Sequence, residues 1–183
     1  MNIVGKKVFL RALEPDDMEV LRTMTNDPEM ESKIGGWSYP ISKDKQMKWY
    51  DGIKDNSDGI RLAIVDIETN EFLGMLNLVN IDWKNGTAFH GIRLSNNTPK
   101  GKGIGTDSVM CIMRYAFEEL RLNRLEGGWL TSNLASQNLY KKCGWVAEGI
   151  KRKSIFCNGT YVDFEISGIL AEEYFEIKKA LVY

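Results

Sequence analysis

The sequence predicts an α/β fold with a mixed sheet, on three observations. Strand-like runs pair around two Asn-Gly turns, Asn85-Gly86 and Asn158-Gly159. Between these hairpins lies a strand–loop–helix–strand unit over 87–130. The helix of that unit carries Val109, Ile112, Met113, Ala116, Phe117 and Leu120 at offsets 0, 3, 4, 7, 8 and 11, a single apolar face.

Along the chain, 8–11 reads as a strand. Glu14 and Pro15, followed by Asp16 and Asp17, open a first helix, with proline and acids suited to a first turn. A loop over 34–40 carries Trp37 and Tyr39. Ser42 then caps a second helix to about Ile53. Runs 61–67, 72–81 and 87–94 are strands, as is 124–130. The stretch 133–143 is a helix ending at Gly144, a suitable terminal glycine. Runs 145–156 and 160–170 form the closing hairpin. At 183 residues, one domain over 1–183 is the expectation.

Bulk properties narrow the function. Hydrophobic residues make up 43% and charged residues 27%, ordinary for a globular chain, and the net charge of −1 gives no basic field for nucleic acid. The patch Lys151, Arg152 and Lys153 reads as a solvated strand end or as a contact for phosphates or an acidic substrate. No apolar run approaches the ~20 residues that span a bilayer, and the N-terminus lacks the apolar core of a signal peptide. Three cysteines, Cys111, Cys143 and Cys157, are odd in number and lack metal-ligand spacing. A reducing, cytoplasmic setting without a metal or membrane partner follows as the expectation.

The most informative stretch is 99–106, Pro-Lys-Gly-Lys-Gly-Ile-Gly-Thr, just before the amphipathic helix. Its glycines permit a tight turn and close approach of a ligand, and the helix start offers unpaired N–H groups. The triphosphate loop needs its lysine after the second glycine, and here the lysines come first. Gly103-Ile-Gly105-Thr-Asp-Ser108 nearly fits the dinucleotide fingerprint, with Glu126 about 20 residues on. Too little chain remains after it for a full doubly wound sheet. The acetyl-coenzyme A loop, Arg/Gln-x-x-Gly-x-Gly/Ala, matches apart from Lys100. A glycine turn with no ligand is the remaining reading.

Several further blocks resemble the GNAT acetyltransferase superfamily, in the branch of ribosomal-protein N-terminal and spermidine acetyltransferases. They are 10–17 with Asn26-Asp27-Pro28, 133–145 with its Asn-x-x-Ser, and the closing residues Glu148, Gly149, Arg152, 159–163 and 168–170. The resemblance covers nearly the whole chain. It implies a mostly antiparallel central sheet, parallel strands that splay, and flanking helices. Acetyl-CoA would lie in the splay as co-substrate. Its pyrophosphate would meet the amides of Gly101, Lys102, Gly103, Ile104, Gly105 and Thr106, with charge from Lys100 and Lys102. Its pantetheine arm would pair with Ile92, Arg93 and Leu94 and hydrogen-bond Asn133 and Ser136. Tyr140 would protonate the departing thiolate.

On a helix, Asn133, Ser136 and Tyr140 share one face, with Leu139 and Cys143 on another. An alternative makes Tyr140 a packing residue and Asn133 a helix cap. The general base is open. Many relatives carry a glutamate where Phe89 stands. His90, Glu31 and a water path are the candidates. Asp163 reads as structural, paired across the hairpin with Arg152. Trp37, Tyr39, Trp83 and Trp129 are candidates for an acceptor pocket, or for packing alone. The expected acceptor is a small-molecule amine or a protein N-terminus, and a homodimer fits the resemblance. A CoA-binding sensor without efficient transfer is the alternative function, and a dinucleotide-binding oxidoreductase a third.

Overall fold

Alternating apolar residues and tight turns assemble an eight-stranded sheet among the described residues. The computed structural model describes residues 2–35, 39–54 and 59–181, so Trp37 lies outside the described residues. The strands are β1 (Ile3–Val4), β2 (Val8–Ala12), β3 (Gly59–Asp66), β4 (Phe72–Asp82), β5 (Thr87–Leu94), β6 (Arg124–Leu130), β7 (Val146–Cys157) and β8 (Thr160–Leu170). They lie in the order β1-β2-β3-β4-β5-β6-β8-β7. Every neighbouring pair is antiparallel except β5 and β6. The helices are α1 (Met18–Thr25), α2 (Pro28–Ile34), α3 (Lys43–Lys54), α4 (Ile104–Arg114), α5 (Leu134–Lys142) and α6 (Ala171–Leu181). None among the described residues is long and apolar enough to cross a bilayer.

Local chemistry explains most boundaries. Ser42 Oγ accepts from Lys45 N at 3.1 Å and caps α3. Asn158 and Gly159 both have positive φ, 50° and 78°, the conformation a two-residue hairpin turn requires. The loop expected over 34–40 is preceded by a helix that the sequence analysis did not place, α2, which Pro28 starts. Asp27 Oδ1 caps it by accepting from Glu29 N at 2.9 Å, and Gly35 ends it at φ 60°. Glu31 sits on this helix. The helix expected to run to Leu120 changes pitch. Residues Tyr115–Glu119 form a π turn, closed by Leu120 N to Tyr115 O at 3.0 Å.

The sheet buries two cores. On one face α4 packs Val109, Ile112 and Met113 against Leu76, Leu78 and Leu125. On the other, α1 and α3 pack Met18, Leu21, Met24 and Tyr50 against Ala63 and Val65. The parallel ladder is short. It joins Thr87, Ala88 and Phe89 only to Arg124, Leu125 and Glu126. Beyond it β5 continues along β4 to Leu94, and β6 continues along β8 to Leu130. The two strands part from His90 onward, leaving the β6-facing backbone edge of 90–94 without a strand partner among the described residues.

Candidate active site

The glycine loop enters α4 through two residues that require positive φ, Gly101 at 73° and Gly103 at 80°. Gly103 precedes the first turn, and no side chain among the described residues caps the helix there. The first-turn amides thus remain available to an anion. The loop is braced from behind. The buried Asp107 carboxylate accepts from the backbone N–H groups of Lys6 (3.1 Å), Lys7 (2.8 Å) and Val8 (3.0 Å). Lys7 Nζ donates to the Lys102 carbonyl. Lys100 and Lys102 are exposed. The start of α4 also touches its neighbours closely. A Cβ on Gly105 would lie 3.2 Å from Leu139 and 3.5 Å from Leu94, so the end of β5, the loop and α5 meet at this glycine.

A cavity of about 600 Å³ opens where β5 and β6 part. Its lining includes the predicted Ile92, Arg93, Asn133, Ser136 and Tyr140, whereas Leu94 and the loop 100–106 lie beyond it. Tyr140 is almost wholly buried in an aromatic cage. Trp129 stacks on it at 5.5 Å, and Trp145 and His90 meet it edge-on at 4.9 and 5.7 Å. Burial pushes its phenol well above the usual tyrosine range, so the proton stays on oxygen at neutral pH. Asn133 does cap α5, accepting from Ser136 N at 3.1 Å. Its amide also donates to Lys33 O at 2.8 Å and ties α5 to α2. Cys143 faces the core, and burial pushes its thiol up to about 12.

His90 and Phe89 point to opposite faces, as strand alternation requires. His90 is 1% exposed, and Nδ1 lies 2.8 Å from Asn77 O. Its Nε2 is buried with no partner among the described residues, and burial lowers its pKa to about 4. Such an imidazole is a weak proton acceptor. Glu31 does not line the cavity.

Three other expectations change. Asp163 does not pair with Arg152. Its Oδ1 accepts from Lys153 N at 2.7 Å, where a bulge in β7 sets Lys153 at φ 49° and leaves Arg152 exposed. Tyr39 and Trp83 are exposed at 63% and 61% and stand outside the cavity, while Trp129 lines it. Trp49 on α3 and Arg61 on β3 also line it. Sequence reasoning passed over both, because only the packing of α3 and the register of β3 bring them there.

A family model described as "Acetyltransferase (GNAT) domain" matches residues 7–146. "Probable N-acetyltransferase YjcK" of Bacillus subtilis is 31% identical over 173 residues, covering 91% of this chain and 95% of its own. "SPbeta prophage-derived uncharacterized N-acetyltransferase YokL" of Bacillus subtilis is 29% identical over 171 residues, covering 93% of each. Among solved structures, spermidine N-acetyltransferase from Vibrio cholerae, in complex with CoA and spermine, superposes with a TM-score of 0.86 at 25% identity. That match covers 92% of this chain and 98% of the other. With the family match spanning most of its length, the chain belongs to the GNAT family of acetyl-CoA-dependent N-acetyltransferases.

Proposed function

We propose that the chain carries an acetyl group from acetyl-CoA to a primary amine of a small molecule or protein N-terminus, by direct attack in a ternary complex. The parting of β5 and β6 at Phe89 and Glu126, with Tyr140 lining the cavity opened there, carries this reading. Acetyl-CoA supplies an activated acyl thioester. The free backbone edge of 92–94 offers the donors and acceptors that an extended arm needs, in the manner of an added strand. The uncapped amides at the start of α4 suit a diphosphate. Ser136 stands beside the arm, while Asn133 holds α5 and α2 in place around it.

Tyr140 acts as the acid that returns a proton to sulfur. Its side chain lines the cavity, its hydroxyl has no protein partner among the described residues, and a phenol carries its proton at neutral pH. An acyl-enzyme on Cys143 is disfavoured by a core-facing thiol whose pKa is about 12. With His90 held near 4 and Phe89 apolar, the amine's proton leaves through water.

Phe89, where many relatives carry glutamate, favours a second reading, a CoA-binding sensor. One experiment separates the two. Acetyl-CoA should raise the melting temperature where NAD does not. Free thiol should appear when an amine panel is added. Tyr140→Phe should keep its affinity for acetyl-CoA and lose about 100-fold in turnover. Unchanged turnover would discard Tyr140 as the acid. Carrier binding with no thiol release from any amine would establish the sensor.

A further inference from the structure

The cavity has a charged side that the transfer chemistry does not use. Arg61, Met75, Asn77, Gly91 and Arg93 line it from the sheet face that α1 and α3 cover. This face lies opposite His90 and Ile92, and so opposite the α4 side where the glycine loop sits. The register pairs Arg61 with Asn77, Asn77 with Gly91, and Met75 with Arg93. The arginines therefore stand two strands apart and two residues along, about 12 Å between Cα atoms. Gly91 puts no side chain between them. A Cβ there would meet only the Asn77 amide, at 3.6 Å.

The balance of charge on this wall is one-sided. No Asp or Glu lines the cavity among the described residues. Lys33 is paired with Glu29 at 2.6 Å, and Lys45 lies over the Tyr39 ring. Neither Arg61 nor Arg93 has a carboxylate within 4 Å among the described residues. Arg93 Nη1 donates to Thr25 Oγ1 at 3.0 Å, which fixes its direction without neutralising it. Both guanidiniums are half-buried, and desolvation lowers the pKa of Arg93. A half-buried cation that has no counter-ion among the described residues is stabilised by an anion brought in with the ligand. A polycation such as the spermine bound by the Vibrio cholerae enzyme finds no carboxylate among the described lining residues to receive it.

We propose that the acceptor is a small amine that also bears an anionic group, a carboxylate or phosphonate a few bonds from the nitrogen, held between Arg61 and Arg93. This rests on the acetyl-transfer reading. The anion anchors the acceptor on the α1–α3 side while its amine reaches the parted strands. There the N–C bond forms and the C–S bond breaks. The amine's proton passes to solvent and sulfur leaves as the thiol. The planar guanidinium fork suits a carboxylate or phosphonate in a way a lysine point charge does not.

The test is thiol release by the full chain with saturating acetyl-CoA and four amines: n-propylamine, spermidine, β-alanine and 3-aminopropylphosphonate. The anionic pair should exceed the other two in kcat/KM by about 10-fold or more. Arg61→Gln and Arg93→Gln should each shrink that preference about 10-fold, through KM for the anionic amines, and Arg61→Lys should restore part of it. Equal or better use of n-propylamine or spermidine overturns the proposal, as does a preference untouched by both substitutions.

Calorimetry of 3-aminopropylphosphonate with the CoA-loaded protein separates the two claims. Binding that Arg93→Gln weakens, without thiol release from any amine, sinks transfer and leaves the anion site standing. Release with spermidine or n-propylamine but no binding of the phosphonate sinks the anion site and leaves transfer standing. Neither binding nor release overturns both.

Discussion

His90 shows how one residue's surroundings decide its role. Nδ1 is engaged with a carbonyl, so the bare Nε2 is the acceptor, and burial holds the ring neutral down to about pH 4. Its pKa is lower folded than unfolded, so the unfolded chain takes up the proton first. The stability it contributes is full above about pH 6.5 and drains away as pH falls towards 4. Urea unfolding followed from pH 6.5 to 4.5 should show a loss that His90→Gln removes, about 2 kcal/mol after subtraction of the common acid slope. Identical slopes would contradict the buried neutral ring. The sequence showed only a lone histidine on a strand. Its pKa depends on Tyr140 and Trp145, about 50 residues away in sequence, which no local pattern reveals.

At the scale of elements, the glycine loop is as much a product of the N-terminus as of its own glycines. Asp107 on α4 accepts from three amides, two in the turn between β1 and β2 and one at the first residue of β2, and so fixes where the helix begins. Asp107→Asn keeps the shape but loses the charge. It should cost about 2 kcal/mol in denaturant stability and weaken CoA binding together. An unchanged unfolding midpoint would contradict this bracing. Strands β5, β6 and β8 and both Asn-Gly turns were legible because alternation and turn chemistry are local. The helix α2 was missed because seven residues hold too few turns for a periodic signal, and its cap and proline were read only as motif. The π turn was missed because one extra residue per turn barely disturbs an apolar face. Asn133 was legible as a cap, but its bond to Lys33 spans 100 residues. That Arg61 and Arg93 share one sheet face beside the cavity comes from sheet register alone.

Over the whole molecule, one topological fact organises the rest. Among the described residues, the only parallel pair in the sheet holds for three residues and then opens, and the helices on its two faces divide the labour. Elements α4 and α5 present amides, Ser136 and Tyr140 from one side. Elements α1 and α3 cover the arginine-lined side, and the cavity joins the two through the sheet. The central claim is that this opening receives the acyl carrier with its diphosphate on the first turn of α4. A crystal structure with bound coenzyme A tests it most directly. The diphosphate is expected on the amides of 101–106, with the arm running beside 92–94 towards Tyr140. A carrier seated elsewhere, with that turn holding no phosphate, would contradict it.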